Sequence, residues 1–293
     1  MKPPPFEYHA PASLAEALDL LAQFGDEAKV LAGGQSLLPL LNLRLARPAH
    51  LIDINGLDSE LGQLETWDGG LRIGALVRQR AAERSGLVRE RTPLLAEALP
   101  QIGHPQIRNR GTIGGSLAHA DPASELPAVA MALDAELVVR SAKGERVLTS
   151  DAFFVSFLTT AVQPDELLVE TRWPGADAGT GTAYVEVSRR HGDFAMVGVA
   201  ASLRLDPNGT VADARLAFTG AAPTPVRAHA AERGLRGQPA SPASFAAAAE
   251  AAQEALDPGS DVHAPAAYRR HVAKVLTQRA LAQASARAQG GAA

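Results

Sequence analysis

The chain has 293 residues, more than the roughly 100–200 of a typical domain, so we expect two compact units, although one large α/β domain also fits. Its 28 Lys and Arg against 32 Asp and Glu give a net charge of −4, which provides no electrostatic reason to bind nucleic acid or an anionic membrane. The chain has no cysteine, which excludes disulfides, thiolate nucleophiles, Cys-bound zinc and Cys-held iron–sulfur clusters. Any redox chemistry therefore requires a cofactor that is held by other groups.

The N-terminus carries prolines at positions 3, 4 and 5 and lacks the apolar core of a secretory signal, so we expect a cytoplasmic protein. The most leucine-rich stretch, residues 37–45, is interrupted by Pro39, Asn42 and Arg44. It falls far short of the ~20 apolar residues that a membrane helix requires, so no integral membrane segment is predicted.

The first part of the chain predicts a small unit of mixed helix and strand. Ser13 and Glu16 form a capping-box pattern that opens a helix, and Gly25 is a suitable residue to end it. Short apolar runs bounded by turn residues predict strands at residues 29–32, 51–54 and 71–74.

The middle of the chain changes its pattern twice. Residues 81–99 have helical periodicity, whereas glycines and prolines crowd residues 103–127, so this second segment cannot form one regular element. Strands are predicted at residues 135–140 and 167–173. The stretch that follows Trp173 is rich in glycine and alanine and has no apolar period, so we place the domain boundary there.

The last third predicts an antiparallel meander followed by helices. Alanine-rich helices are expected after Pro225, with Ser241 or Ser244 as an N-cap. The strands of the meander are expected at residues 183–187, 197–205 and 214–219, with a turn at residues 206–209.

Two glycine pairs are the candidate ligand sites. Gly33 and Gly34 follow a predicted strand and precede a helix-compatible run, an arrangement in which backbone N–H groups face an anion. Gly114 and Gly115 again have hydroxyl residues beside them and a potential helix after them. A lone glycine pair is more often a tight turn. Two such loops about eighty residues apart suit a dinucleotide that is clasped from both sides.

Neither glycine loop matches the two commonest nucleotide motifs. No Gly-Lys-Ser/Thr follows either pair, as a Walker A loop requires, and neither pair has the G-x-G-x-x-G spacing of a Rossmann fingerprint. The sequence therefore argues against ATP and against a standard NAD domain.

Other polar groupings are weaker candidates. Ser116, His119 and Asp121 are close in sequence, but catalytic triads are assembled from distant segments and no G-x-S-x-G elbow is present. A metal site at His104, His119 and Asp121 is equally disfavoured, because these residues lack helical ligand spacing. Residues 189–193 form either a solvated hairpin or a loop that reaches back over a cofactor in the other domain.

Four segments carry a resemblance to a known family. They are LAGGQSLLP at residues 31–39, LIDI at 51–54, HPQIRNRGTIGGS at 104–116 and VSRRHGDFA at 187–195. In order and spacing they resemble the FAD-binding (medium) subunits of the molybdenum hydroxylase family, which includes xanthine dehydrogenases and carbon monoxide dehydrogenases. The resemblance covers nearly the whole chain.

The resemblance implies an α+β fold. A vanillyl-alcohol-oxidase-type (PCMH) FAD-binding domain of two α+β subdomains is expected at residues 1–176. A domain with a three-stranded antiparallel sheet and a helical bundle, of the type found at the C-terminus of CO dehydrogenase flavoproteins, is expected at residues 177–288. A disordered tail is expected at residues 289–293.

The resemblance also implies which residues bind FAD. The two glycine loops carry the pyrophosphate, through backbone N–H groups of both glycine pairs and through hydroxyl donors, and a bulky residue at Gly33 or Gly114 would fill the space that phosphate needs. No catalytic residue and no metal ligand is implied. The expected FAD contacts are Lys29, Val30, Leu31, Ala32, Gly33, Gly34, Gln35, Ser36, Leu37, Ile102, Gly103, Ile107, Gly111, Thr112, Gly114, Gly115, Ser116, Ala118, Ser124, Glu125 and Leu168.

The partners and the role are likewise implied by the resemblance. Electrons would come from a molybdenum–pterin large subunit through the [2Fe–2S] clusters of a small subunit to FAD in this chain, and then go to an external acceptor, in a dimer of heterotrimers. One departure is that the family commonly has a lysine where this chain has Val185 and Glu186. That difference would change the electrostatic setting of the flavin.

Two other functions remain open at the level of sequence. A stand-alone FAD-dependent oxidase or dehydrogenase would have its own substrate pocket, and a nucleotide-binding module would have no redox activity. The substrate of the whole complex, whether carbon monoxide, a purine, an aldehyde or an N-heterocycle, is not encoded in any motif of this chain.

Overall fold

Strand pairing organises residues 2–290, the part of the chain that the computed structural model describes, into three main sheets and one small hairpin. We call the main sheets the N-terminal, central and C-terminal sheets. The mixture of helix and strand confirms the predicted α+β fold.

The N-terminal sheet has the strand order β1-β3-β2, and all of its strands are parallel. The helix between its first two strands begins after Ser13, whose hydroxyl accepts the Glu16 N–H at 3.2 Å, and ends at Gly25 with φ of +50°. The predicted N-cap and helix end are therefore confirmed, while the Glu16 carboxylate accepts the N–H of Ala12 at 2.7 Å and not that of Ser13 as in a full capping box. In chain order, this part contains β1 (Glu7–His9), α1 (Leu14–Phe24), β2 (Ala28–Leu31), α2 (Leu37–Asn42), β3 (His50–Asp53) and α3 (Asp58–Leu61).

The central sheet is antiparallel and has the strand order β4-β5-β10-β6-β7. Its strands and the helices between them are β4 (Leu64–Trp67), β5 (Gly70–Gly74), α4 (Gln79–Arg84), α5 (Gly86–Arg91), α6 (Pro93–Ala98), α7 (Pro105–Arg110), α8 (Ile113–His119), α9 (Glu125–Leu133), β6 (Glu136–Ser141), β7 (Gly144–Thr149), α10 (Ser150–Phe153), β8 (Phe154–Ser156), β9 (Thr159–Thr160) and β10 (Leu167–Trp173). Strands β8 and β9 form the small hairpin.

The helical segment that was predicted at residues 81–99 is divided into α4, α5 and α6. Ser85 separates the first two, because its extended backbone ends α4 and its hydroxyl caps α5 by accepting the Val88 N–H. Pro93 stands at the first position of α6, where its missing N–H costs nothing. The glycine- and proline-rich segment after it is, as predicted, not one element, since it contains α7, α8 and the start of α9.

The C-terminal sheet confirms the predicted meander and extends it by a short fourth strand. Asp206 stabilises the predicted turn at residues 206–209, because its carboxylate accepts the N–H groups of Asn208 and Thr210, both at 2.9 Å. Of the two predicted N-caps, Ser241 is the one that caps helix α12. The elements are β11 (Thr180–Val187), β12 (Val197–Leu205), β13 (Val211–Thr219), β14 (Val226–Arg227), α11 (His229–Leu235), α12 (Pro242–Gln253) and α13 (Ala266–Ala288). Helix α13 packs across β11 and β12.

Helix α9 packs against β12 and β13 of the C-terminal sheet, and every one of its residues is buried. Tyr184, Ala200 and Ala217 of the C-terminal sheet belong to the same apolar cluster as this helix. The part of the chain that forms the central sheet and α9 and the part that forms the C-terminal sheet therefore share a continuous core.

Two further sequence predictions concern the chain end and membranes. In the predicted tail, Gln289 and Gly290 form a turn after α13, and residues 291–293 lie outside the described residues. No helix found within residues 2–290 has both the length and the apolar character that crossing a bilayer would require.

Candidate cofactor-binding site

A cleft of about 740 Å³ lies where the N-terminal sheet, α8 and the C-terminal part of the chain meet. This volume lies within the roughly 300–1,000 Å³ of small-molecule and cofactor sites. Its walls are the first glycine loop (residues 29–37), the second glycine loop (residues 112–116), the segment 158–168 and the loop 192–194.

The first glycine loop offers unused backbone donors. The N–H groups of Gly33, Gly34, Gln35 and Ser36 make no hydrogen bond to any acceptor within residues 2–290. Gly34 has a φ of +72°, a backbone conformation that favours glycine. Successive free N–H groups that line a cleft are an anion site, so this loop suits a pyrophosphate.

The second glycine loop uses its backbone differently. The Gly114 N–H donates to the carbonyl oxygen of Ala75 at 3.0 Å, and the Gly115 N–H donates to Oγ1 of Thr112 at 2.9 Å. Both donors are therefore occupied. The contact of these two N–H groups with the pyrophosphate stays a prediction, and the hydroxyls of Thr112 and Ser116 also line the cleft.

The glycines also have a structural role that differs from the predicted one. A Cβ on Gly33 would overlap the carbonyl oxygen of Arg110 and lie 2.9 Å from Cα of Gly111. A Cβ on Gly114 would lie 2.5 Å from Cβ of Ala75. These glycines allow backbone segments to pack together, a role that comes in addition to the space predicted for phosphate.

Arg78 and Asn55 link the two glycine loops. The Arg78 guanidinium donates to the carbonyl oxygen of Arg110 and to the side-chain oxygen of Asn55, both at 2.6 Å. The amide of Asn55 in turn donates to the carbonyl oxygen of Ala32 at 2.8 Å. One continuous set of hydrogen bonds thus runs from Ala32 of the first loop to Arg110, two residues before the second loop.

Gln79 is a cleft residue that the sequence argument missed. Its side chain is 4% exposed, and its Oε1 atom has no hydrogen-bond donor within the described part of the chain. Buried amide oxygens are normally paired, so this one marks unused hydrogen-bonding capacity at the cleft. No sequence motif distinguishes this residue from other glutamines.

Two carboxyl groups with raised pKa values lie near the C-terminal sheet: Glu125 is buried and lines the cleft, whereas Glu186 is half-buried and is not one of the cleft residues. Burial, and secondarily the nearby Glu186, raises the pKa of Glu125 to about 8. Burial raises the pKa of Glu186 to about 7, although the Tyr184 hydroxyl donates to it at 3.1 Å and opposes this shift. Glu125 therefore holds a proton at neutral pH. Glu186, one of the two residues at which a departure from the family was expected, contributes to the raised pKa of Glu125.

Two structures were predicted for residues 189–193, a solvated hairpin and a loop that reaches back to the other domain. In the structure this loop contacts the N-terminal part of the chain. Gly192 has a φ of +91°, and a Cβ there would overlap the ring of His104. The rings of His104 and His191 lie 6.0 Å apart, edge to face. The loop therefore closes one side of the cleft.

The structure brings the predicted FAD contacts together around this cleft, with the exception of Leu31. Leu31 belongs to β2, and its Cδ1 atom supports the first glycine loop, 3.2 Å from where a Cβ on Gly34 would lie. Cleft residues that the sequence did not predict as contacts include Gln79, His119, Leu158, Thr159, Thr160, Val162, Gln163, Pro164, Glu166, Leu167, Gly192, Asp193 and Phe194.

Comparison with known proteins gives the family. Residues 4–176 match the FAD binding domain in molybdopterin dehydrogenase, and residues 182–284 match the CO dehydrogenase flavoprotein C-terminal domain. The chain belongs to this family of flavoprotein subunits. The resemblance that was noted in the sequence is thus confirmed.

Individual relatives agree over their whole length. The chain is 45% identical over 289 residues to the 6-hydroxypseudooxynicotine dehydrogenase complex subunit alpha of Paenarthrobacter nicotinovorans, covering 99% of this chain and 97% of that protein. It is 43% identical over 288 residues to the caffeine dehydrogenase subunit beta of Pseudomonas sp. strain CBB1, covering 98% and 97%. A solved structure of carbon monoxide dehydrogenase from Hydrogenophaga pseudoflava superimposes with a TM-score of 0.95 at 44% identity, covering 98% and 99%.

The cofactor is therefore FAD, and the chain is the FAD-carrying electron-transfer subunit of a molybdenum-containing dehydrogenase. The cleft fits this cofactor on its own evidence, because free N–H groups line one wall and an unpaired amide oxygen is buried beside it. When bound, FAD supplies reversible uptake and release of electrons.

Proposed function

We propose that this chain receives electrons from [2Fe–2S] clusters on a small partner subunit and delivers them to an external acceptor. The electrons would originate at a molybdenum–pterin centre in a large subunit, and the assembly would be a dimer of heterotrimers in the cytoplasm. Support comes from relatives that are named as a complex subunit, a subunit and a medium chain. The absence of cysteine adds to this, because iron–sulfur clusters require ligands that this chain does not contain.

The observation that carries the proposal is the run of free N–H groups in the first glycine loop. They would bind the FAD pyrophosphate, with the Ser36, Thr112 and Ser116 hydroxyls as further donors. We propose the cleft residues that were predicted from the sequence, together with Gln79, as the FAD contacts. The division into a FAD domain of residues 1–176 and a C-terminal domain of residues 177–288 belongs to the same proposal.

The organic substrate would be recognised on another subunit. Relatives of this chain with 42–45% identity are named for dehydrogenases of three different substrates, namely 6-hydroxypseudooxynicotine, caffeine and carbon monoxide. A subunit that bound the substrate would have to differ at its pocket between these complexes. A subunit that only transfers electrons has no such requirement.

The visible absorption spectrum of the purified chain tests this role. We expect a yellow protein with one FAD per chain that dithionite reduces, and that none of the candidate substrates reduces unless the partner subunits are added. Bleaching by a substrate with the single chain would instead identify a self-contained oxidase. A colourless chain that does not take up added FAD would identify a nucleotide-binding module without redox activity.

A further inference from the structure

Two histidines and a glutamate converge at the outer edge of the N-terminal sheet, away from the glycine loops. Glu7 of β1 pairs with His50 of β3 in the parallel register, and His9 lies two residues further along β1. Because side chains alternate across a strand, Glu7 and His9 lie on the same face, and His50 lies beside them. The backbone register itself therefore brings these three side chains together.

The distances between the three side chains suit a metal ion. Nε2 of His9 lies 3.1 Å from Nδ1 of His50, which lies 3.4 Å from Oε2 of Glu7. All three candidate ligand atoms lie within 4.8 Å of one another. A tetrahedral zinc ion with bonds of about 2.0–2.1 Å places its ligand atoms roughly 3.3 Å apart.

Hydrogen bonding alone satisfies this group poorly. If Nδ1 of His50 carries a proton, that single proton faces both the Glu7 carboxylate and Nε2 of His9, which then cannot donate in return. If Nδ1 is unprotonated, it can accept a hydrogen bond from Nε2–H of His9, but its lone pair then faces the Glu7 carboxylate at 3.4 Å, so only one of the two contacts is satisfied. A cation between the three atoms accepts a lone pair from each of them.

The surroundings hold the ligands and leave the site accessible. Phe24 stacks on the His50 ring with centroids 3.7 Å apart and an interplanar angle of 12°, which fixes the orientation of that ring. The His50 side chain is 13% exposed, whereas the Glu7 side chain is 74% exposed. An ion can therefore enter from solvent, and water can take a fourth coordination position.

We propose that Glu7, His9 and His50 form a binding site for a divalent transition metal, with zinc as the ion whose ligand preference and geometry fit best. Two imidazoles and one carboxylate disfavour Mg²⁺ and Ca²⁺, which prefer oxygen ligands. A bound ion would cross-link β1 to β3 and so stabilise the sheet from which the first glycine loop extends.

Zinc titration of the untagged, FAD-bound full chain by calorimetry tests the site, after treatment with EDTA. We expect one Zn²⁺ per chain and a higher thermal midpoint with Zn²⁺ than with Mg²⁺. The variants His50→Gln and His9→Gln should weaken zinc binding by at least the roughly 10-fold that loss of an outer-shell partner costs elsewhere. Glu7→Gln, at an exposed position, keeps the test valid if a histidine variant does not fold.

His229→Gln is the matched control. His229 also lies next to a glutamate, with Nδ1 3.1 Å from Oε2 of Glu232, but it belongs to no described cluster of metal-ligand type. Its replacement should leave zinc affinity unchanged. Wild-type protein that does not bind zinc, or binding that persists unchanged in His50→Gln and Glu7→Gln, would overturn the proposal.

Discussion

The guanidinium of Arg78 and the side-chain oxygen of Asn55 lie 2.6 Å apart, and through this bond the two glycine loops become one unit. Arg78 also holds the carbonyl oxygen of Arg110, just before the second loop, and Asn55 holds Ala32 of the first. Neither residue was predicted as a cofactor contact. Their importance lies in fixing the separation of two loops that must fit one ligand.

Replacing Arg78 with glutamine should weaken FAD binding. The shorter, neutral side chain loses both hydrogen bonds, and hydrogen bonds from a charged group contribute about 1.5–3 kcal/mol each. We expect the dissociation constant of FAD, measured by flavin fluorescence, to rise about 10-fold or more. Arg78→Lys keeps the charge and one bond, so its affinity should be intermediate. Arg84→Gln, an exposed change near the end of α4, is the control, and equal effects of both glutamine variants would refute the linking role.

Gly33→Ala should destabilise the protein and release FAD together. The new Cβ would overlap the Arg110 carbonyl oxygen, so the two glycine loops must separate. Gly56→Ala is the matched control, because a Cβ there meets its nearest neighbour, the Pro11 carbonyl oxygen, at 3.9 Å. Thermal midpoint and FAD content should both fall for the first variant, whereas the second should retain both. Full FAD occupancy with an unchanged thermal midpoint in Gly33→Ala would contradict the close loop contact.

Glu97 connects the two parts of the chain, and its removal should lower the free energy of unfolding. Its carboxylate accepts from Oγ1 of Thr182 at 2.5 Å, from the Tyr184 N–H at 3.0 Å and from the Arg287 guanidinium at 2.6 Å. Glu97→Ala leaves the Tyr184 N–H unpaired, at a cost of about 2 kcal/mol. Arg287→Ala should cost less, because the N–H keeps its partner.

Urea denaturation measures both changes at Glu97 and Arg287. Glu90→Ala is a control at a glutamate whose side chain is 66% exposed and which should cost almost nothing. If Glu97→Ala resembled this control, the contact between the two parts of the chain would not contribute to stability.

The raised pKa values of the Glu125 and Glu186 carboxyls predict that the free energy of unfolding falls as the pH rises. In the unfolded chain both carboxyl groups have a pKa near 4.5. In the folded chain Glu186 keeps its proton to about pH 7 and Glu125 keeps its proton to about pH 8. The folded state therefore binds more protons than the unfolded state in this window, and the free energy of unfolding decreases through it. We expect Glu125→Gln to remove a decrease on the order of 5 kcal/mol, which is the roughly 3.5-unit difference in pKa at about 1.4 kcal/mol per unit.

Urea denaturation at several pH values between about 5 and 9 checks this dependence. Glu254→Gln, at an exposed position, should keep the wild-type slope. A slope in Glu125→Gln that matches the wild type would show that this carboxyl ionises at an ordinary pH.

The sequence predicted the local parts of the site well. Strand, glycine pair and helix signals are short-range, and they correctly indicated the turn after β2 at Gly33, whereas Gly114 and Gly115 lie in the first turn of α8 and not in a loop before it. They did not show what each glycine touches, because Ala75 and Arg110 come close only after the sheets assemble. The sequence therefore did not show that these glycines also permit close backbone packing, and their contact with phosphate stays a prediction.

Long-range packing also explains the missed cleft residues. Gln79 becomes noteworthy only because folding buries its Oε1 atom without a donor. Residues 158–168 have no motif, and they reach the cleft because β10 returns to the centre of the central sheet. The departure at Glu186 was visible in the sequence, but its proximity to Glu125 depends on the packing of α9 against the C-terminal sheet.

The placement of the loop 192–194 and of α9 limits how this protein can be divided. A chain ending at residue 176 would lose one wall of the cleft and would expose the face of α9 that packs on β12 and β13. Residues 1–176 alone are therefore not a complete FAD-binding unit that could be fused to another enzyme. An engineered transfer of the flavin site therefore requires both segments.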